Sequence, residues 1–81
     1  MRIDKFLKVS RLLKRRSVAA DACVEGLVAV NGKQAKPAHK LKAGDILSIT
    51  LGENIIKARV LELNEKASKA QSSLLYEIIN D

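Results

Sequence analysis

The strongest structural signal in this chain is the stretch Leu27-Val28-Ala29-Val30-Asn31-Gly32-Lys33-Gln34-Ala35-Lys36. A two-residue type I′ turn needs positive φ at both central positions, and Asn followed by Gly tolerates this best. The stretch therefore predicts a β-hairpin with strands over residues 27–30 and 33–36. Pro37 should end the second strand, because proline offers no N–H to the ladder.

Downstream of the hairpin, the pattern predicts further strands separated by turns. The strands are expected over residues 46–51, 55–63 and 74–79, with turns at 42–45 and 52–54. The first of these is rich in β-branched residues, which favour a pleated sheet. Residues 64–73 are polar and lack periodicity, so we expect a flexible loop there.

Upstream of the hairpin, the spacing of apolar residues predicts two short helices. Ile3, Phe6 and Leu7 fall on one side of the first helix, opposite its basic residues. Asp4 lies in its first turn, where a carboxylate suits the helix dipole, and an exposed pair with Lys8 four residues later is expected.

The second predicted helix covers residues 18–25, with Ser17 as its N-cap and Gly26 as its C-cap. The whole pattern indicates an α+β domain in which two short N-terminal helices pack on a small, mostly antiparallel β-sheet. We expect a single domain over residues 1–81.

Positive charge is concentrated at the N-terminus. Residues 1–16 hold seven basic residues and one acid, whereas residues 17–81 hold eight of each, so the net charge of +6 resides on the first segment. Such a block is typical of a surface that binds a polyanion. The predicted RNA-binding residues are Arg2, Lys5, Lys8, Arg11, Lys14, Arg15 and Arg16.

The residue inventory argues against catalysis and against a cofactor. His39 is the only histidine and Cys23 the only cysteine, so neither a nucleophile with its base nor a usual zinc ligand set is apparent. The glycines are scattered and form no phosphate loop. We expect no enzyme activity, no cofactor and no metal. A lone cysteine and the lack of a long apolar run favour a cytoplasmic protein.

The scarcity of aromatic residues indicates how RNA is recognised. Only Phe6 and Tyr76 are present, and Phe6 belongs to the apolar helix face. Domains that read single strands stack bases on exposed rings. Recognition here is therefore expected through the phosphates and shape of a folded RNA. Arginine suits that task because its planar fork binds phosphate with two hydrogen bonds, whereas lysine adds point charge.

An ordered set of motifs resembles the S4 RNA-binding domain family. The motifs are Met1 to Leu7, Ser10-Arg11-Leu12, Arg16-Ser17, Glu25 to Gly32 and Gly44 to Leu47. The resemblance covers about residues 1–51 and implies two packed helices followed by a hairpin, known as the αL motif, with RNA on the basic helical surface. Residues 52–81 would add C-terminal strands.

Within this family, the chain looks like the free-standing S4 proteins of ribosome-associated quality control in Gram-positive bacteria. It is also similar to the small heat-shock S4 proteins, which carry a longer basic C-terminal tail. The resemblance implies binding to large (50S) ribosomal subunits obstructed by peptidyl-tRNA, with contacts to 23S rRNA near helix 69 and to P-site tRNA. It further implies cooperation with RqcH, which adds alanine tails to stalled chains, and a monomer off the ribosome.

Two alternative functions stay open at the level of sequence. One is a factor for ribosome assembly, or for heat-shock-type recycling of 50S subunits. The other is a peptide that lies on membrane surfaces, because residues 2–16 form a basic amphipathic segment.

The hairpin assignment predicts that Gly32→Val is strongly destabilising. A β-branched residue would be forced toward positive φ, at a cost of about 1–3 kcal/mol. Thermal melting checks this, and an unchanged melting temperature would show that the turn is misassigned.

Overall fold

A computed structural model describes residues 1–79 of the chain. Its elements in chain order are α1 (Ile3–Val9), α2 (Arg16–Val24), β1 (Val28–Val30), β2 (Lys33–Gln34), β3 (Ile46–Leu51), β4 (Asn54–Val60), a 3₁₀ helix (Ser72–Leu74) and β5 (Tyr76–Ile78). The strands form one antiparallel sheet in the order β2-β1-β3-β4-β5. The predicted α+β class is confirmed.

The hairpin turns where the sequence predicts it. Asn31 and Gly32 have φ values of 52° and 85°, as a type I′ turn requires. A Cβ at Gly32 would meet nothing within 4 Å, so backbone strain alone would oppose a larger residue there. The second strand is shorter than predicted, however. It ends at Gln34, before Pro37, although the Ala35 N–H still donates to the Val28 carbonyl at 3.0 Å.

Asn31 also ties the hairpin to β3 through its side chain. The Asn31 amide oxygen accepts the N–H of Ile46 at 3.0 Å, and the amide nitrogen donates to Asp45 Oδ1 at 3.1 Å. The Asn31 N–H donates to the Ile46 carbonyl at 2.8 Å. Asp45 closes the preceding turn by accepting the N–H of Lys42 at 2.8 Å. The turn residue is therefore also a tertiary contact.

The apolar face of α1 is fully covered within the fold. Ile3, Phe6 and Leu7 are 0% exposed, and α1 packs against α2, where Ala19 and Ala22 are buried. These helices cover one face of the sheet, the face formed on the central strands by the alternating buried residues Val28, Val30, Leu47, Ile49, Ala58 and Val60. The predicted amphipathic first helix is confirmed.

The ends of α2 differ in how well they were predicted. Gly26, at φ 78°, follows the helix in a Schellman motif, with Gly26 N–H donating to the Cys23 carbonyl and Leu27 N–H to the Ala22 carbonyl. The predicted N-cap was wrong. The helix begins at Arg16, and the Arg15 carbonyl accepts the first helical hydrogen bond from Ala19, so Ser17 lies inside the first turn.

The C-terminal strands are shorter than predicted. β4 ends at Val60 rather than at residue 63, because the N–H of Leu61 already donates to the carbonyl of Leu75 outside the strand pairing. The last strand begins at Tyr76, because Ser72–Leu74 forms a 3₁₀ helix. That helix overlaps the loop predicted over residues 64–73. Local hydrogen bonds hold part of this segment, such as Ser72 Oγ donating to the Lys69 carbonyl at 2.8 Å.

The two roles of Asn31 can be separated by substitution. Asn31→Gly keeps the positive φ and loses both side-chain hydrogen bonds, so we expect a loss of about 1–2 kcal/mol in the free energy of unfolding. Asn31→Ala also forces alanine into the left-handed region and should be about 1 kcal/mol worse. Urea unfolding measures both. Equal stability of the two variants would contradict the assigned backbone conformation.

Candidate nucleic-acid interface

A buried carboxylate lies at the centre of the basic N-terminal surface. Asp4 is only 3% exposed, and its Oδ2 accepts from Arg2 Nη2 at 3.0 Å. Its Oδ1 lies 3.4 Å from Arg16 Nη2 and accepts the N–H of Lys5 at 2.8 Å. The expected exposed pair with Lys8 is therefore wrong: a tertiary contact with the second helix replaces the local contact along the first.

The backbone brings these two arginines together from distant parts of the chain. Arg2 is the N-cap of α1 and forms an antiparallel bridge with Lys40, flanked by a hydrogen bond from Ile3 N–H to the His39 carbonyl at 2.8 Å. Arg16 is the first residue of α2. The packing of α1 on α2 thus places both guanidinium groups against one carboxylate.

The shared carboxylate has two electrostatic effects. A charge taken out of water is costly unless it is paired, and Asp4 has two cations and a backbone N–H as partners. In turn, Asp4 offsets the repulsion between the two guanidinium groups. The Arg2 and Arg16 side chains are 49% and 46% exposed, so most of their N–H donors are left for solvent or a ligand. Such a pair can bind phosphate oxygens.

A second group of the predicted residues lines a groove of about 570 Å³. Its basic members are Lys8, Arg11 and Lys14, and its remaining lining residues are Val9, Leu13, Glu65 and Ala67. Arg11 has a φ of 63° and follows the end of α1 in the position that usually takes glycine. This conformation is strained for a residue with a Cβ, and it ends the helix beside the basic groove.

The remaining two predicted residues are placed differently. Lys5 is partly buried and its Nζ lies 3.7 Å from Glu65 Oε1, so an acid from the C-terminal segment neutralises it. Arg15 is exposed at the N-cap of α2, next to Arg16. The structure therefore brings Arg2 and Arg16 together, and Lys8, Arg11 and Lys14 together.

Sequence reasoning missed Lys40, whose backbone lies opposite Arg2. The signal was present: residues 26–44 contain Lys33, Lys36, Lys40 and Lys42 and no acid. Averaging charge over residues 17–81 concealed this segment, because acidic residues before and after it cancel the lysines. The role of Asp4 as a shared partner was also missed.

Cys23 and His39 were also considered at the level of sequence. Burial, together with the Asp4 carboxylate, raises the pKa of the Cys23 thiol, and His39 is exposed. Within residues 1–79, no group of three or more potential ligands is arranged to hold a metal ion. No helix in this part of the chain has the length and hydropathy needed to cross a membrane. The apolar face of α1 that a membrane-surface peptide would use is buried.

Comparison with known proteins identifies relatives along the whole chain. The family model described as "S4 domain" matches residues 1–47. The RQC P-site tRNA stabilizing factor of Listeria monocytogenes is 48% identical over 81 residues, which cover 100% of this chain and 88% of the relative. The Bacillus subtilis protein of the same name is 40% identical over 81 residues, covering 100% and 94%.

Heat-shock relatives are also similar. The heat shock protein 15 homolog of Aeromonas salmonicida is 36% identical over 78 residues, which cover 95% of this chain and 59% of the relative. The trimeric structure of Vibrio cholerae heat shock protein 15 superposes with a TM-score of 0.89 at 25% identity, covering 98% of this chain and 81% of that one.

A second solved structure covers the complete chain. The solution structure of the protein HP1423 has a TM-score of 0.85 at 34% identity, and the match covers 100% of this chain and 99% of that one. The fold and the sequence therefore agree with the expected family. The chain belongs to the S4 domain family and, within it, to the RQC P-site tRNA stabilizing factors, the RqcP group.

Proposed function

We propose that this protein is a non-catalytic RNA-binding accessory factor of ribosome-associated quality control. It binds large (50S) ribosomal subunits obstructed by peptidyl-tRNA and contacts 23S rRNA near helix 69 and the P-site tRNA. In doing so it supports the RqcH-dependent alanine tailing of stalled nascent chains. The observation that carries the proposal is the convergence of Arg2 and Arg16 on the buried Asp4.

The geometry supports binding to phosphates. Two half-exposed guanidinium groups are held side by side by one carboxylate, so their orientation is fixed before RNA arrives. Fixing side chains in advance lowers the entropy that binding would otherwise cost. The neighbouring Lys8, Arg11 and Lys14 add positive charge along a groove, which favours association with a polyanion of defined shape.

The names of the relatives support the ribosomal setting. Two relatives that match over the full chain are named RQC P-site tRNA stabilizing factor. P-site tRNA and the surrounding rRNA both present phosphates to a small protein, and this chain offers more than one basic group. The contacts near helix 69 and the partnership with RqcH follow from the resemblance to this group.

Similarity to heat shock protein 15 favours a second candidate, a factor in 50S recycling or ribosome assembly. Co-sedimentation separates the two functions. Quality control predicts enrichment on 50S subunits that carry peptidyl-tRNA and tailing that requires this protein. An assembly role predicts enrichment on immature particles, with no effect on tailing.

Binding should depend strongly on salt through the N-terminal surface. Each phosphate contact contributes about 0.9 to the slope of log K against log salt, so Arg15→Gln should lower the slope by roughly one. The matched control is Arg59→Gln, since Arg59 lies on the sheet and pairs with Glu77. Affinity for 50S subunits is measured between 50 and 300 mM salt, roughly. Equal losses in both variants would refute the assignment of the binding surface.

Arg16→Ala should weaken function more than it weakens the fold. Asp4 keeps Arg2 and the Lys5 N–H as partners, so we expect a stability loss of about 1 kcal/mol or less. Co-sedimentation with obstructed 50S subunits and alanine tailing should both fall. Arg16→Lys should restore co-sedimentation and tailing only in part, because an ammonium group keeps the charge and lacks the planar pair of N–H donors that binds phosphate with two hydrogen bonds. Thermal melting beside both assays provides the measurement.

Arg2→Ala serves as the companion variant from the other side of Asp4. It should reproduce the Arg16→Ala defect if the two guanidinium groups act as one unit. Folded Arg2→Ala and Arg16→Ala proteins with normal co-sedimentation and normal tailing would remove these arginines from the proposed site.

A further inference from the structure

A second basic groove is lined by residues outside α1 and α2. It has a volume of about 470 Å³, and its basic lining residues are Lys33, His39, Lys40 and Lys42. All four are exposed. The one acid in its lining is Asp45, whose two oxygens accept from the Asn31 side chain and from the backbone N–H of Lys42. The carboxylate is thus already used in holding the fold.

The groove lies beside the arginine pair described above. Arg2 and Lys40 are directly opposite each other in an antiparallel bridge. Residues so paired place their side chains on the same side, with Cβ atoms about 4.5–5.5 Å apart. Positive charge therefore continues from Arg16 through Arg2 to Lys40, and from there along the groove to Lys42.

The groove is held rigidly on both sides. Lys33 pairs with Val30 at the edge of the sheet, one residue after the Asn31-Gly32 turn. Lys42 begins the turn that Asp45 closes, and Asn31 ties that turn to the hairpin. Lys33 and Lys42 thus lie on segments whose relative positions are fixed by hydrogen bonds.

The chemistry of the groove fits a phosphate backbone better than a protein partner. Within the described residues, the side chains of Lys33, Lys40 and Lys42 form no ion pair or hydrogen bond. The other lining residues are Val30, Asn31, Gln34, Ala35 and Asp45, so no aromatic or large exposed apolar side chain is available as an anchor. Protein interfaces usually depend on such anchors. Lysines with neighbouring amides are typical of sequence-independent contacts to nucleic acid.

We propose that Lys33, Lys40 and Lys42 form a second phosphate-binding groove, which continues the RNA-binding surface from the Arg2–Asp4–Arg16 site across the 1–3 and 39–41 segments. The bound partner is the backbone of a structured RNA. This inference rests on the proposed function in taking that RNA to belong to the obstructed large subunit.

The test compares two double variants with the same loss of charge. Lys40→Gln with Lys42→Gln removes cations from the groove, and Arg59→Gln with Lys69→Gln removes exposed cations that line neither this groove nor the one beside α1. Affinity for obstructed 50S subunits should fall about tenfold in the first, with the slope against log salt reduced by about two. The control should stay within about twofold of wild type, with its slope unchanged. Equal behaviour of the two would overturn the proposal.

Folding and the identity of the partner are checked separately. Both double variants should melt like wild type, and Lys33→Gln provides an independent groove variant should one of them unfold. A photoreactive p-benzoylphenylalanine replacing Lys42 should crosslink to RNA, whereas the same group replacing Lys69 should not. Crosslinking of position 42 to protein alone would overturn the assignment to RNA.

Free tRNA in solution distinguishes failure of this inference from failure of the proposed function. One outcome is that wild type binds tRNA with the same dependence on Lys40 and Lys42 and fails to bind obstructed subunits. That result would support the phosphate-binding groove and refute the ribosomal role. If wild type and the groove variants bind obstructed subunits equally well, the result supports the ribosomal role and refutes the phosphate-binding groove.

Discussion

The N-terminal half of this protein depends on the burial of one carboxylate. Asp4 is almost inaccessible to water, and an unpaired charge in that position would cost several kcal/mol. Its partners come from the N-cap of α1 and the first turn of α2. Packing of the two helices at their N-terminal ends adds Arg16 to the local partners of Asp4. The shared carboxylate holds the two arginines at a spacing that their mutual repulsion would otherwise oppose.

The hairpin and the basic surface are linked through the segment that follows β2. The N-terminal residues pair with residues 39–41, and the chain reaches that position because Asn31 fixes the hairpin turn against the start of β3. A change in the turn would shift the backbone that pairs with Arg2. Stability of the sheet and placement of Arg2 and Lys40 are consequently hard to separate in a domain of this size.

Sequence reasoning succeeded where local chemistry determines structure. The Asn31-Gly32 turn and strand β3 follow from the conformational preferences of a few adjacent residues. Sequence reasoning failed where the structure forms a contact between distant parts of the chain in place of the expected local contact. Asp4 pairs with Arg16 rather than with Lys8, and Lys40 joins the basic surface only because residues 1–3 pair with 39–41. The left-handed conformation of Arg11 had no local signal, since glycine is the usual residue there.

The arrangement of charge gives the proposed function a basis for RNA recognition in a domain with only two aromatic residues, Phe6 and Tyr76. Contacts from lysine to phosphate supply affinity and carry no sequence information. Discrimination must then come from the spacing of the cations, which is informative only if the protein holds it constant. Here a buried acid fixes Arg2 and Arg16, and hydrogen bonds from Asn31 and Asp45 fix the turn that carries Lys42. Under the proposed function, a folded RNA whose phosphates match this spacing would bind without the cost of ordering these segments, whereas a flexible or differently shaped RNA would itself have to be ordered.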